Sequence, residues 1–336
     1  MGADTKLVAW VGGQFFMQHM EAQGFRVVRI PLSAPAALSW DEITARCGAA
    51  PDVVVYTDRS LPPPLLGVER FPCLTAFYCI DSHIHSWYPL YASTFDLCAV
   101  SLRGDVERFG RELSRARVLW LPPFAEDRYQ PLGAGKQWDL LFAGTVNPET
   151  TPLRQDFLQR LAGEFPNLAV RQGDFAQLFP QARVVLNIAE RGDLNFRVFE
   201  ALACGACLLT PRIDNGQDEL FQDGVHLATY QADDAADAAA QARALLADDA
   251  RRESLALAGV ALIDAAHRPW RRASALATFL RQGFDEDLPG KRLARPDQAR
   301  KHDLRLLWLH WAEHCGDAAL AASYLAEARR LSLPVM

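Results

Sequence analysis

Short apolar runs alternate with helix-spaced stretches from the first residues of the chain. Strands are expected at Lys6–Val11, Phe25–Ile30, Asp52–Tyr56, Cys73–Ile80, Phe95–Val100 and Val118–Leu121. Each run is apolar on both faces, as parallel strands are when layers cover both sides of a sheet. Between them the spacing predicts helices over Gln14–Gln23, Trp40–Arg46, Ser86–Ala92 and Arg103–Leu113. Strand and helix in alternation imply right-handed crossovers and a doubly wound sheet.

The pattern breaks at Leu121-Pro122-Pro123-Phe124-Ala125 and Pro131-Leu132-Gly133-Ala134-Gly135, which places a linker near 122–137. It restarts at Trp138–Gly144, with further strands expected at Leu168–Arg171, Val184–Ile188, Cys207–Thr210 and His226–Tyr230. Helices are expected around Leu153–Glu164, Asp193–Ala203 and Gln217–Phe221. Asp233–Ala250 is rich in Ala and Asp and reads as a surface helix. After a break around Leu288–Pro296, the tail reads as a helical hairpin, Leu304–His314 and Ala318–Leu331, turning at Gly316-Asp317. One such hairpin cannot bury its own apolar face, so it packs either on the main body or on a protein partner. The expected organisation is an N-terminal α/β domain over 1–125, a C-terminal one over 137–285 and a helical extension over 298–336.

Composition narrows the classes. Of 336 residues half are hydrophobic, enough for two cores. The net charge is −6, without the basic excess of a nucleic-acid groove, so no nucleic-acid partner is expected. No apolar run approaches the ~18 residues that suggest a membrane span, and Met1–Lys6 leads straight into a short apolar run unlike a signal peptide. A cytoplasmic location is therefore expected. The seven cysteines are scattered, and Cys73, Cys79, Cys98 and Cys207 sit in apolar runs, which fits buried free thiols. Cys204 and Cys207 form a Cys-x-x-Cys pair without a second ligand pair, so no metal site is expected there.

The most informative segment runs from Asp193 to Gly205. Asp193 is a good N-cap and Gly205 a good residue just past a helix end. The helix between them is apolar nearly all round, which marks it as buried. Asp193, Arg197 and Glu200 nevertheless share one face. Either Arg197 and Glu200 form an internal ion pair, or the stripe faces a cleft. In the second case Arg197 suits a phosphate, because its planar fork is always charged. Glu200 suits sugar hydroxyls, because a carboxylate only accepts.

Gly144 and Thr145 follow the first strand of the second half, where a glycine lets a ligand approach the backbone. Arg154, near the start of the next helix, is either a second phosphate contact or a solvated arginine. Asn195 lies at the start of the polar-striped helix. The loop Asp214-Asn215-Gly216 follows a buried strand, at the carboxyl edge where open α/β sheets bind ligands.

In the first half, Ile80-Asp81-Ser82-His83-Ile84-His85 follows the most apolar strand. Three readings stay open: His83 and His85 with Asp81 as metal ligands, structural histidines, or polar groups that do acid–base work or contact sugar hydroxyls. Asp81 and Ser82 would equally serve as caps of a helix starting near Ile84.

Several of these segments resemble a known family. Asp139–Gly144, the run Asn195-Phe196-Arg197-Val198-Phe199-Glu200-Ala201-Leu202-Ala203-Cys204-Gly205, Leu208–Pro211 and Glu219–Gly224 look like the CgeB-like and group 1 glycosyltransferases. Ile80–His85, Phe95-Asp96 and Trp120–Pro122 resemble the same family, so the likeness covers most of 70–230. It implies a GT-B fold, two Rossmann-like doubly wound domains facing across a cleft, followed here by a helical extension. It implies sugar transfer from a nucleoside-diphosphate sugar, bound by the C-terminal domain without metal. No cofactor is expected beyond that co-substrate, and the acceptor would be a protein or a glycan. Gly144, Thr145, Arg154, Asn195, Arg197, Glu200, Asp214, Asn215 and Gly216 become donor-binding candidates, Asp81 and His83 catalytic candidates, and His85 a sugar or acceptor contact. Retaining relatives carry two glutamates eight positions apart. Glu200 matches the second, which contacts the ribose, whereas the first falls at Gly192, which has no side chain. The competing readings are a nucleotide-sugar-binding or scaffold protein without turnover and a GT-B nucleotide-sugar epimerase.

Overall fold

The computed structural model describes residues 5–294 and 300–332. Two compact units emerge, Met1–Leu121 with Ala273–Met336, and Pro122–Arg272. In the first, six parallel strands run in the order β2-β1-β3-β4-β5-β6. In chain order its elements are β1 (Lys6–Gly12), β2 (Phe25–Ile30), α1 (Trp40–Cys47), β3 (Val53–Thr57), β4 (Leu74–Cys79), α2 (Tyr88–Ala92), β5 (Leu97–Val100), α3 (Asp105–Leu113) and β6 (Val118–Trp120). The central strands β3, β4 and β5 are buried along their whole length, as their continuous apolar runs require. β2 is an edge strand and exposes Arg26 and Arg29, so it departs from the two-faced apolar pattern.

The second unit has five parallel strands in the order β11-β10-β9-β7-β8. They alternate with helices as β7 (Trp138–Ala143), α4 (Pro152–Glu164), β8 (Leu168–Arg171), α5 (Phe175–Leu178), β9 (Ala182–Leu186), α6 (Phe196–Ala203), β10 (Cys207–Pro211), α7 (Gln217–Leu220) and β11 (Ala228–Tyr230). The helices α8 (Ala235–Ala247) and α9 (Asp249–Ala266) follow. In both sheets every strand has the direction of its neighbours, which only crossover connections allow.

The chain then enters α10 (Pro269–Asp285), whose first turn counts with the second unit and the remainder with the first. α11 (Leu288–Leu293), α12 (Lys301–His314) and α13 (Ala318–Arg330) complete the first unit. Leu304, Leu307, Trp308, Leu320 and Tyr324 of the hairpin join the core that lies on one face of the six-stranded sheet. The Tyr324 hydroxyl also donates to the Pro63 carbonyl at 3.2 Å. The hairpin thus packs on the chain's own body, and the units divide the chain differently from the spans expected: 122–136 goes with the second unit and 273–294 with the first.

Four local expectations are corrected. Gln14–Gln23 holds two short 3-10 turns instead of one helix, with Gly24 in left-handed backbone behind them. Asp233–Ala250 is not one continuous surface helix: α8 keeps an exposed outer face, but its Ala235, Ala238, Ala239, Ala242 and Leu245 are core residues, and Asp248 caps the next helix. Small side chains let that helix lie close against the sheet. The break at 288–296 is interrupted by α11, started by Asp287 accepting from the Gly290 amide; Pro296 lies outside the described residues. Finally, Asn195 and not Asp193 is the N-cap residue of α6, because a 3-10 turn over Glu190–Gly192 delays the helix. Gly205 does follow its end, at φ 68°.

Candidate functional site

At the carboxyl edge of the five-stranded sheet, four of the expected residues come together. Arg197 reaches back from the first turn of α6 and donates from Nε to the Ala143 carbonyl at 3.0 Å and from Nη1 to Asn187 Oδ1 at 3.1 Å. Its guanidinium lies 5.0 Å from the centre of the Phe142 ring, and that of Arg154 lies 5.9 Å from the same ring. Gly144 follows directly, and a Cβ there would stand 2.8 Å from Arg197 Nη2 and 3.1 Å from Phe142 Cζ. Arg154 Nη1 donates to the Thr145 carbonyl at 2.7 Å, while Thr145 itself is exposed.

Arg197 has no carboxylate in direct ion-pair contact among the described residues, although Glu200, Asp193 and Glu190 act on it from further off. Both acceptors of Arg197 are neutral, and among the described residues no ion pair joins it to Glu200, so the internal ion pair is not formed. Burial and then the neighbouring Arg154 push the Arg197 pKa down to about 10, which still leaves it charged at neutral pH. Arg154 has a carboxylate beside it, Glu190, with Nε and Oε1 3.2 Å apart. Two guanidinium groups close together in partly buried surroundings favour an anion between or beside them.

Glu200 turns elsewhere. Burial raises its pKa, while a hydrogen bond from the Tyr129 hydroxyl and the charge of Arg197 work in the opposite direction. Tyr129 is buried and is held by Arg128, which donates from Nη2 to the phenol oxygen at 2.5 Å and reaches Asp174 at 3.0 Å. Asn195 spends its Nδ2 on the Ile188 carbonyl at 3.2 Å and leaves its buried Oδ1 without a partner among the described residues.

The loop Asp214–Gly216 reaches the turn at Gly192. Its Asn215 Nδ2 donates to the Gly192 carbonyl at 2.7 Å, the Gly216 amide donates to the Asp214 carbonyl, and Gly216 enters α7 at φ 87°. Gly192, where a first glutamate would fall, has φ 72° and follows Arg191 at φ 56°. That backbone favours glycine, so the missing side chain is built into the turn. A pocket of about 250 Å³ opens beside it, lined by Arg154, Glu190, Arg191, Phe157, Pro211 and Tyr230 among others.

Asp81, His83 and His85 sit at the carboxyl edge of the six-stranded sheet, just after β4. The Asp81 carboxylate accepts from the Ser60 hydroxyl at 2.5 Å. It caps no helix, because α2 begins only at Tyr88 and has no side-chain cap. His83 Nδ1 is buried without a partner among the described residues, and the His85 ring stacks on Trp87 at 5.5 Å. Among the described residues no cluster of three or more His, Cys, Asp or Glu side chains could hold a metal ion. All seven cysteines are free.

Sequence reasoning passed over Asn187, Tyr129, Asp58 and Ser60. Asn187 and Asp58 were detectable as polar residues ending apolar strands. Tyr129, in a Pro- and Gly-rich stretch, left no signal.

Residues 136–278 match the family model described as "Glycosyl transferase-like". The match is to this broader family, and nothing in it singles out the CgeB-like branch. No curated protein matches the sequence. Among solved structures, the chain resembles a sucrose-phosphate synthase from Thermosynechococcus elongatus at 12% identity and TM-score 0.58, covering 84% of this chain and 100% of that one. It resembles HepE from Anabaena, in complex with UDP and glucose, at 11% identity and TM-score 0.57, covering 82% and 99%. A glycosyltransferase from Rickettsia africae matches at 8% identity and TM-score 0.58, covering 82% and 98%. The fold is the GT-B fold of glycosyltransferases, with a C-terminal helical stretch. Among the described residues no helix is long and apolar enough to cross a membrane.

Proposed function

We propose that this chain transfers a glycosyl group from a nucleoside-diphosphate sugar to a hydroxyl of a protein or glycan acceptor. The observation that carries the reading is Arg197, oriented by two neutral acceptors, with no carboxylate in direct ion-pair contact among the described residues, beside Gly144 and Arg154. A diphosphate supplies a directly paired negative charge. Arg197 and Arg154 hold it, with Gly144 and Thr145 allowing close backbone approach. Asn195, whose Oδ1 is free, and the loop Asp214–Gly216 lie along the same sheet edge and bind the sugar-phosphate end. Glu200 accepts from the ribose hydroxyls with the oxygen that Tyr129 leaves available. The "Glycosyl transferase-like" match over 136–278 supports the placement of the donor on this unit, and the HepE complex with UDP and glucose supports a nucleotide-sugar donor.

In the reaction the bond from the anomeric carbon to the diphosphate oxygen breaks, and its electron pair leaves with the diphosphate. Arginines aimed at that oxygen stabilise the charge as it develops. The acceptor oxygen bonds to the anomeric carbon and gives up its proton to a base, which we assign to Asp81, with His83 beside it and His85 contacting sugar or acceptor. Arginine countercharge makes a divalent metal unnecessary. Incubation with UDP-, GDP- and ADP-sugars, with assay of free nucleoside diphosphate and of epimerised sugar, tests the reading. Diphosphate release supports it. Epimerised sugar without transfer would make the chain an epimerase, and binding without either product would make it a sensor or scaffold.

A further inference from the structure

Behind Asp81 lies a second carboxylate. Asp58 follows β3 and is 1% exposed. Its Oδ1 accepts from the Tyr88 hydroxyl at 2.7 Å and from the Ser60 amide at 2.8 Å, and its Oδ2 accepts from the Asp81 amide at 3.3 Å. Burial raises its pKa, with Asp81 adding in the same direction and the hydrogen bonds opposing. One carboxyl group therefore holds the backbone of both Ser60 and Asp81.

Ser60 is the unusual member. It has φ 53°, left-handed backbone that favours glycine and that a serine occupies only under strain. If this loop needed only its turn, glycine would serve it better. What serine adds is a hydroxyl, and that hydroxyl donates to Asp81 Oδ2 at 2.5 Å. Asp81 Oδ1 has no partner among the described residues. Strain held in place by surrounding hydrogen bonds, next to a group with chemistry to do, argues for a role in setting that group.

We propose that Asp58 and Ser60 are positioning residues for Asp81: Asp58 locks the strained Ser60 turn, and the Ser60 hydroxyl aims the Asp81 carboxylate so that Oδ1 takes the acceptor proton. This rests on the reading of Asp81 as the base, but its first consequence is measurable without turnover. A hydroxyl donating to an ionised carboxylate favours the ionised form, so removing it raises the carboxyl pKa. The other titratable and charged groups of this corner are Asp58 and Tyr88, with Tyr56, Cys79 and Asp105 behind them, Arg108 on the Ser82 carbonyl, Arg59 between Asp58 and Ser60, and His83 two residues on. Ser60→Gly and Ser60→Ala leave all of these in place.

The two variants separate the turn from the hydroxyl. Ser60→Gly removes the hydroxyl and relieves the backbone, whereas Ser60→Ala removes the hydroxyl and keeps the strain. The experiment follows the Asp81 carboxyl carbon by NMR through a pH titration of the full chain, assigned against Asp81→Asn, alongside thermal unfolding. In both variants the Asp81 midpoint should rise, although Ser60→Gly unfolds at the parent's temperature or above. The acid limb of diphosphate release from a UDP-sugar should move up in pH by the same amount. An Asp81 midpoint in Ser60→Gly equal to the parent's overturns the proposal. A raised midpoint in a chain that releases no diphosphate from any nucleotide sugar supports the positioning and overturns the transferase reading instead.

Discussion

Arg197 donates from Nη1 to Asn187 Oδ1 at 3.1 Å, and that fully buried amide donates onward to the Thr210 hydroxyl at 3.0 Å. Arginine can only donate, so the amide oxygen stays turned to it and the amide nitrogen to the hydroxyl, which can accept. Nε is fixed in the same way by the Ala143 carbonyl. The guanidinium is therefore aimed before any ligand arrives. Arg197→Ala should weaken UDP binding by roughly 1.5–3 kcal/mol, the range for a charge-assisted contact. Arg197→Lys should not restore it, because a point charge cannot reach both acceptors and the phosphate together. Calorimetric titration with UDP checks both, and undiminished affinity in a folded Arg197→Ala variant would remove the phosphate role.

Gly144 tests the same corner from the backbone side. Its missing Cβ would collide at 2.8 Å with Arg197 Nη2, the far end of a flexible side chain. Gly144→Ala should therefore fold but displace the guanidinium. UDP affinity should drop about tenfold, some 1.4 kcal/mol, and the melting midpoint should fall as well, because alanine is strained at φ 157°. Equal affinity in the variant would show that Arg197 does not need its observed place.

Much of this fold was readable in the chain because parallel strands buried on both faces leave continuous apolar runs, and the strands were found wherever such runs occur. Edge strand β2 and the alanine face of α8 were harder, since coverage by neighbours is decided by tertiary packing and not by local pattern. The arginine corner was legible in part. Spacing placed Arg197 and Glu200 on one helix stripe, but it could not show that they part company, one to Asn187 and the other to Tyr129. Contacts between residues far apart in sequence, such as Tyr129 with Glu200, leave no periodic trace. Asp58 and Ser60 were invisible for another reason: the signal is a backbone angle, and a Ser in sequence does not announce a positive φ.

Metal dependence gives the third prediction. The Asp-x-Asp in the chain, Asp285-Glu286-Asp287, ends α10 in the first unit, and Asp287 is engaged in capping α11. With Arg197 and Arg154 as countercharge, diphosphate release should proceed at full rate in EDTA. Loss of turnover in EDTA, restored by manganese, would overturn this and return His83 and His85 to consideration as ligands.

The fourth prediction concerns the attachment of the C-terminal helices. Arg292 of α11 grips Asp96 at 2.9 and 3.2 Å and also donates to the carbonyls of Val68, Glu69, Phe71 and Cys73. Asp96 is fully buried and also accepts from the Thr75 amide and hydroxyl. Removing one partner of such a pair strands the other charge, so Arg292→Ala should cost about 3–5 kcal/mol in urea unfolding. Arg292→Lys should recover little, because one ammonium cannot reach four carbonyls and a carboxylate. A loss below about 1 kcal/mol in Arg292→Ala would show the pair to be solvated.

The last prediction separates stability from binding at Glu200. Its carboxyl pKa lies above the ordinary value of 4.5, chiefly through burial. The folded state therefore holds a proton that the unfolded state releases, and stability falls as pH rises from that ordinary value through the raised one. Glu200→Gln keeps a hydrogen-bonding side chain without the charge. It should be more stable than the parent at neutral pH, and its advantage should vanish below the unfolded-state pKa. Tyr129→Phe should act in the other direction. The Tyr129 phenol, its own pKa raised by burial and by Glu200, stays protonated and steadies the ionised carboxylate. Losing that donor should raise the Glu200 pKa further and steepen the fall of stability with pH. UDP binding should weaken in both variants, because a ribose diol needs the aimed acceptor. A variant gaining stability while losing ligand is what a binding carboxylate predicts and a packing carboxylate does not. Unfolding free energies across pH for the parent, each single variant and the double variant decide the matter, and parallel curves for parent and Glu200→Gln would end this assignment.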